Sequence, residues 1–100
     1  VEHPVTTRLA DGMACRTPEP EAIEILWRHL ARIVQVSDDE VEEAMRPMYS
    51  ATHNVAEGAG AAGLAAVLKE RDRLAGRKAA VVLSGANVDR DVYARVLAKS

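Results

Sequence analysis

Five apolar residues run without a polar break from Ala79 to Leu83, valines at their centre, and end in Ser84-Gly85-Ala86-Asn87. A run this short and this β-branched predicts a strand over 78–83, buried on both faces as in a parallel sheet. The small polar tail lets the backbone turn sharply and approach a ligand. Ligands of open α/β sheets collect outside the carboxyl ends of the strands, which makes Ser84 the first functional candidate. On residue type alone a Ser-Gly pair is more often a plain turn. No G-x-S-x-G surrounds Ser84, which argues against a hydrolase nucleophile.

The remaining pattern supplies one more strand and several helices. Residues 1–16 read as extended or loop, with a turn at Asp11-Gly12. Thr17-Pro18-Glu19-Pro20 predicts a helix over 17–32, with Thr17 as cap and Pro18 at its first position. Ile23, Leu26, Trp27 and Leu30 share its apolar face. Ile33-Val34-Gln35-Val36 is the second strand candidate, 33–36. Ser37 and Glu40 have capping-box spacing and open a helix over 38–53. That helix carries Val41, Ala44, Met45, Met48 and Thr52 on one face, with Pro47 expected to kink it.

A further helix is predicted over 58–74 on Ala61, Leu64, Ala65 and Leu68, with Gly76 as its stop. Gly58, Gly60 and Gly63 would each weaken an exposed helix by about 1 kcal/mol relative to alanine. They therefore point to close approach of another helix, a strand or a ligand. The last helix is predicted over 89–98. Two strands do not make a self-sufficient parallel sheet. The expectation is an α/β fold of two parallel strands and about four helices, as part of a larger sheet domain with other strands on chain outside 1–100.

Several function classes are disfavoured. Net charge is −2, and the aromatics are Trp27, Tyr49 and Tyr93 alone, a poor basis for binding nucleic acid or an anionic membrane. No apolar run approaches the roughly 20 residues needed to span a bilayer. The single Cys15 forms no intrachain disulfide and fits a reducing compartment, so a cytoplasmic protein is expected. His3, His29 and His53 share no metal-ligand spacing with one another or with Cys15, so no metal site is expected. The acidic run Asp38 to Glu43 reads as a solvated face matched to a helix dipole. Glu57 is a surface glutamate on residue type alone. The glycine-rich helix start after it offers free backbone N–H groups to a phosphate, but without the lysine of a P-loop.

Four motifs change this picture. Leu9-Ala10-Asp11-Gly12, Val36-Ser37-Asp38-Asp39-Glu40, Ala56-Glu57-Gly58-Ala59-Gly60-Ala61 and Val81-Val82-Leu83-Ser84-Gly85-Ala86-Asn87 occur in that order. Together they resemble the C-terminal third of the fold-type II pyridoxal-phosphate enzymes, above all the threonine dehydratase (threonine ammonia-lyase) and serine racemase group. The resemblance implies the C-terminal portion of a cofactor-binding large domain, with pyridoxal 5'-phosphate as cofactor. It implies that Ser84 hydrogen-bonds the pyridine nitrogen and that Glu57 lies near the ring. Gly12 would run close to the cofactor, and Gly85 and Asn87 would shape the turn behind Ser84.

The implied reaction converts threonine or serine to a 2-oxo acid and ammonia. A racemase on the same scaffold and a non-catalytic helical interaction domain are the alternatives. The implied partners are a small hydroxy amino acid, the N-terminal remainder of the protein and copies of itself. No catalytic residue is expected within 1–100, because no lysine here (Lys69, Lys78, Lys99) has the context of the Schiff-base lysine. That residue is expected in preceding chain, and 1–100 alone is expected to be inactive. The family usually has Glu-Pro at Glu57-Gly58 and Ser-Gly-Gly-Asn at Ser84 to Asn87. These departures bear on substrate preference more than on cofactor use.

Overall fold

Two helices of opposite character meet at the centre of the molecule, one carrying methionines and many charges, the other mostly alanine and glycine. A computed structural model describes residues 4–99. In chain order it forms a short 3-10 turn at Asp11–Met13, α1 (Pro20–His29), α2 (Asp38–Thr52), α3 (Gly58–Lys69), α4 (Arg71–Leu74) and α5 (Arg90–Ala98).

The start of α2 is set by its capping box. Ser37 Oγ accepts the Glu40 backbone N–H, and the Glu40 carboxylate accepts the Ser37 backbone N–H, both at 3.2 Å. Val41, Ala44, Met45 and Met48 then fall on one buried stripe. Pro47 sits inside the helix on its exposed side, where the helix continues past it. Thr52 is exposed and outside the buried stripe, its hydroxyl donating to the Met48 carbonyl. The helix ends at His53, whose left-handed backbone (φ 59°) lets its N–H reach the Tyr49 carbonyl at 2.7 Å.

α3 brings Ala61, Ala62 and Ala65 against that stripe, and α5 adds Val96, which is fully buried. Small side chains on α3 allow close approach to the methionines of α2. Leu9, Val36, Leu64, Leu68, Leu83, Val88 and Tyr93 close the rim of this core. Lys99 pairs with Glu42 at 2.6 Å and pins the end of α5 to α2.

The structure corrects the expected elements in several places. The two parallel strands over 33–36 and 78–83 are not formed among the described residues. A strand exists only as one side of a ladder, and neither segment has one. Nor is the apolar run buried on both faces: Val82 is 79% exposed. Residues 81–85 instead lie along the glycine face of α3. A methyl on Gly63 would meet Val81 Cβ at 3.2 Å, and one on Gly60 would meet the Gly85 carbonyl oxygen at 2.5 Å. The close approach signalled by these glycines is therefore that of a neighbouring chain segment.

The helix expected from 17 begins at Pro20, with Glu19 as N-cap at ψ 123°. A residue before proline is driven out of the helical region, so Pro20 forbids an earlier start. It ends at His29 because Leu30 is already extended, at ψ 133°. The helix expected over 58–74 is broken at Glu70 into α3 and α4, where Glu70 pairs with Arg32. α1 buries none of its residues and touches no other helix among the described residues.

Candidate functional site

The N-terminus of α3 is the meeting point of three segments that are distant in sequence. Glu57 is the N-cap residue, yet its side chain makes no capping bond. The backbone does the anchoring: the Glu57 N–H donates to the Gly85 carbonyl at 3.1 Å. The carboxylate is thereby left to face the segments around it.

What it faces is backbone. A methyl group built on Gly85 would fall onto Glu57 Oε1. One built on Gly12 would lie 4.0 Å from the same oxygen and 3.1 Å from Ala59 Cβ. The carboxylate thus lies against Gly85 and near Gly12, two positions that carry no side chain. Asn87 and Glu57 share a polar cavity of about 130 Å3, which Arg8, Asp11 and Asp89 also line. Ser84 is exposed at the end of the run that Gly85 anchors. Of the five residues singled out from sequence, Glu57, Gly85, Gly12 and Asn87 are gathered here, and Ser84 adjoins them through Gly85.

Sequence reasoning missed the support beneath this cluster. The Thr7 hydroxyl donates to Asp38 Oδ1, and the Arg8 backbone N–H donates to Asp38 Oδ2 at 2.9 Å. Thr7 Oγ1 in turn accepts the backbone N–H groups of Ala10 at 3.0 Å and Leu9 at 3.3 Å. The Arg8 N–H, and after it the Thr7 hydroxyl, hold the Asp38 carboxyl below the usual carboxylate range against a smaller effect of burial. Thr7 and Asp38 are 31 residues apart, and no local pattern joins them. His29 and His53 are exposed at helix ends; His3 lies outside the described residues.

Comparison with known proteins decides the family. The family model described as pyridoxal-phosphate dependent enzyme matches residues 1–85. The chain belongs to this family. This member of the pyridoxal-phosphate dependent enzymes is 37% identical over 91 residues to an L-threonine ammonia-lyase of Thermotoga maritima, covering 91% of this chain and 22% of that one. It is 31% identical over 91 residues to the L-threonine dehydratase catabolic TdcB of Staphylococcus aureus, covering 88% and 26%. It is 34% identical over 90 residues to a phenylserine dehydratase of Ralstonia pickettii, covering 89% and 28%.

The resemblance to threonine dehydratases carried by the four motifs is borne out. These names favour neither the racemase alternative nor an independent interaction domain. The chain spans about a quarter of the length of these relatives. No helix among the described residues is long and apolar enough to cross a membrane.

Proposed function

We propose that this chain is the part of a pyridoxal-phosphate-dependent ammonia-lyase that supplies Ser84, Glu57 and the glycine backbone to the cofactor. The whole enzyme would convert threonine, serine or a related β-hydroxy amino acid to a 2-oxo acid and ammonia. One observation carries the reading. Glu57 is spared from capping its own helix, and its carboxylate lies between the bare backbones of Gly12 and Gly85.

The residues present suit this cofactor. A neutral hydroxyl (Ser84, exposed) and a carboxylate (Glu57) stand at the same cluster, beside the cavity that Glu57 and Asn87 line, a donor and acceptor set that suits a polar heterocyclic ring. Pyridoxal phosphate, when bound, supplies an electron sink for charge developing at the substrate α-carbon. Ser84 would be the hydrogen-bond partner of the ring nitrogen; as a neutral group it would leave the ring less electron-withdrawing than a carboxylate partner would, which suits elimination. Glu57 would place an acceptor beside the ring, and Asn87 and Gly85 would hold the turn on which Ser84 sits. Threonine and phenylserine, named for the relatives' activities, both carry the β-hydroxyl that such an elimination expels.

In the whole protein, residues 33–36 and 78–83 take up ladder partners and become two parallel strands of the large-domain sheet. The exposure of Val82 and the unpaired state of both segments among the described residues support this. A homo-oligomeric enzyme belongs to the same reading, supported by the uncovered apolar face of α1.

The test uses the full-length protein. Purified with its cofactor, it should form 2-oxo acid from threonine or serine, and Ser84→Ala should lower turnover by about tenfold or more with cofactor still bound. Unchanged kinetics in Ser84→Ala would remove that residue from the site.

A further inference from the structure

Among the described residues, the turn that presents Gly12 to Glu57 is tied to the start of α2 through one side chain, Asp38. Asp38 is the first residue of α2, but the capping of that helix is already carried by Ser37 and Glu40. Its carboxylate is used elsewhere, taking the Thr7 hydroxyl on one oxygen and the Arg8 backbone N–H on the other. The helix N-terminus favours the negative charge it carries.

From this anchor the contacts run directly to the cluster. Thr7 Oγ1 gathers the N–H groups of Leu9 and Ala10, which closes the turn. The Leu9 carbonyl then lies against Gly58, so near that a methyl group there would collide with it. Ala10 is buried, and Gly12 follows beside Ala59 and the Glu57 carboxylate. No other side-chain hydrogen bond to residues 7–12 from outside that segment is seen among the described residues.

We infer that Asp38 and Thr7 are positioning residues of the cofactor site: together they hold the Leu9–Gly12 turn on the start of α3 and so set the spacing between Gly12 and Glu57. This rests on the reading that Gly12 and Glu57 face the cofactor. Neither Asp38 nor Thr7 touches the cofactor in this account. Their effect passes through the turn.

The experiment uses the full-length holoenzyme and four variants: Thr7→Val, Thr7→Ser, Asp38→Ala and the double variant Thr7→Val/Asp38→Ala. Two quantities are read, the dissociation constant for pyridoxal phosphate and the hydrogen-exchange protection of the Leu9 and Ala10 amides. Thr7→Val and Asp38→Ala should each weaken cofactor binding by about tenfold or more, the order expected on losing a hydrogen bond to a charged group. Both should also deprotect the turn. Thr7→Ser keeps the donor and should stay within about twofold of the wild type. The double variant should fall short of the sum of the two single effects, because both changes break the Thr7–Asp38 bond.

Wild-type affinity in Thr7→Val would overturn the inference, whether or not the turn is deprotected. So would equal damage from Thr7→Ser and Thr7→Val, or effects that add in the double variant. If Asp38→Ala does not fold, the Thr7 pair alone decides, since Val replaces a hydroxyl by a methyl of similar size. A wild-type protein that binds no cofactor would instead refute the reading of the site itself, and amide protection in Thr7→Val would still report on the anchor.

Discussion

The place a side chain on Gly85 would take is filled by the Glu57 carboxylate, while the Gly85 carbonyl receives the Glu57 backbone N–H at 3.1 Å. Backbone and side chain of Glu57 thus meet the same glycine from two sides. One contact fixes the segment after Ser84 to α3; the other keeps a flexible carboxylate in place.

These two contacts predict opposite outcomes for neighbouring substitutions. In Gly85→Ala the new methyl meets the far end of a flexible side chain, so the fold survives and Glu57 moves. Cofactor affinity should fall while thermal stability changes little. In Gly60→Ala the methyl meets a carbonyl oxygen at 2.5 Å, and neither backbone can yield cheaply. That substitution should destabilise by about 1–3 kcal/mol, the usual cost of overpacking. Thermal melts of both variants, with cofactor titrations, separate the two cases.

The core places its largest fully buried side chain at Met45, between α2 and its neighbours. Met45→Ala should cost about 2–5 kcal/mol. Ile25 is just as apolar but 60% exposed on α1, and Ile25→Ala should stay within about 0.5 kcal/mol in this chain. Denaturant midpoints check both. A large loss at Ile25 in the full-length protein, by contrast, would show that other chain covers α1.

The Asp38 anchor carries a pH dependence of definite sign. Its folded-state pKa is depressed, first by the Arg8 N–H and then by the Thr7 hydroxyl, with the Arg8 charge assisting. A depressed carboxyl contributes stability that is complete above its unfolded value, about 3.9, and is lost as pH falls through the lower folded value. Protection of the Leu9 and Ala10 amides should therefore be constant near neutrality and fall only under strongly acidic conditions. In Asp38→Asn the acid-dependent step should disappear.

The legible parts of this chain were those with local causes. Ser37 and Glu40 are three positions apart, and the stripe from Val41 to Met48 repeats with the helix, so α2 could be read directly. α1 starts later than its sequence pattern suggests because two prolines compete there, and the one that decides is the second, through its effect on Glu19. The run from Ala79 to Leu83 has strand composition, but a strand needs a ladder partner, and composition does not supply one. The glycines of α3 announced close approach without naming the neighbour, which proved to be 81–85 and the Leu9 carbonyl. The Thr7–Asp38 junction had no local sign at all. Glu57, unremarkable by residue type, became a candidate only through the motif around it and through the two glycines that flank its carboxylate.

The most direct test of the cofactor site is the visible absorption spectrum of the full-length holoenzyme across pH, wild type against Glu57→Gln. Glu57 is half-buried and caps nothing, so the substitution should leave stability within about 0.5 kcal/mol and change the bound cofactor's spectrum or its pH dependence. Spectra that superimpose at every pH, in a variant that binds its cofactor normally, would contradict the account and return Glu57 to an ordinary surface glutamate.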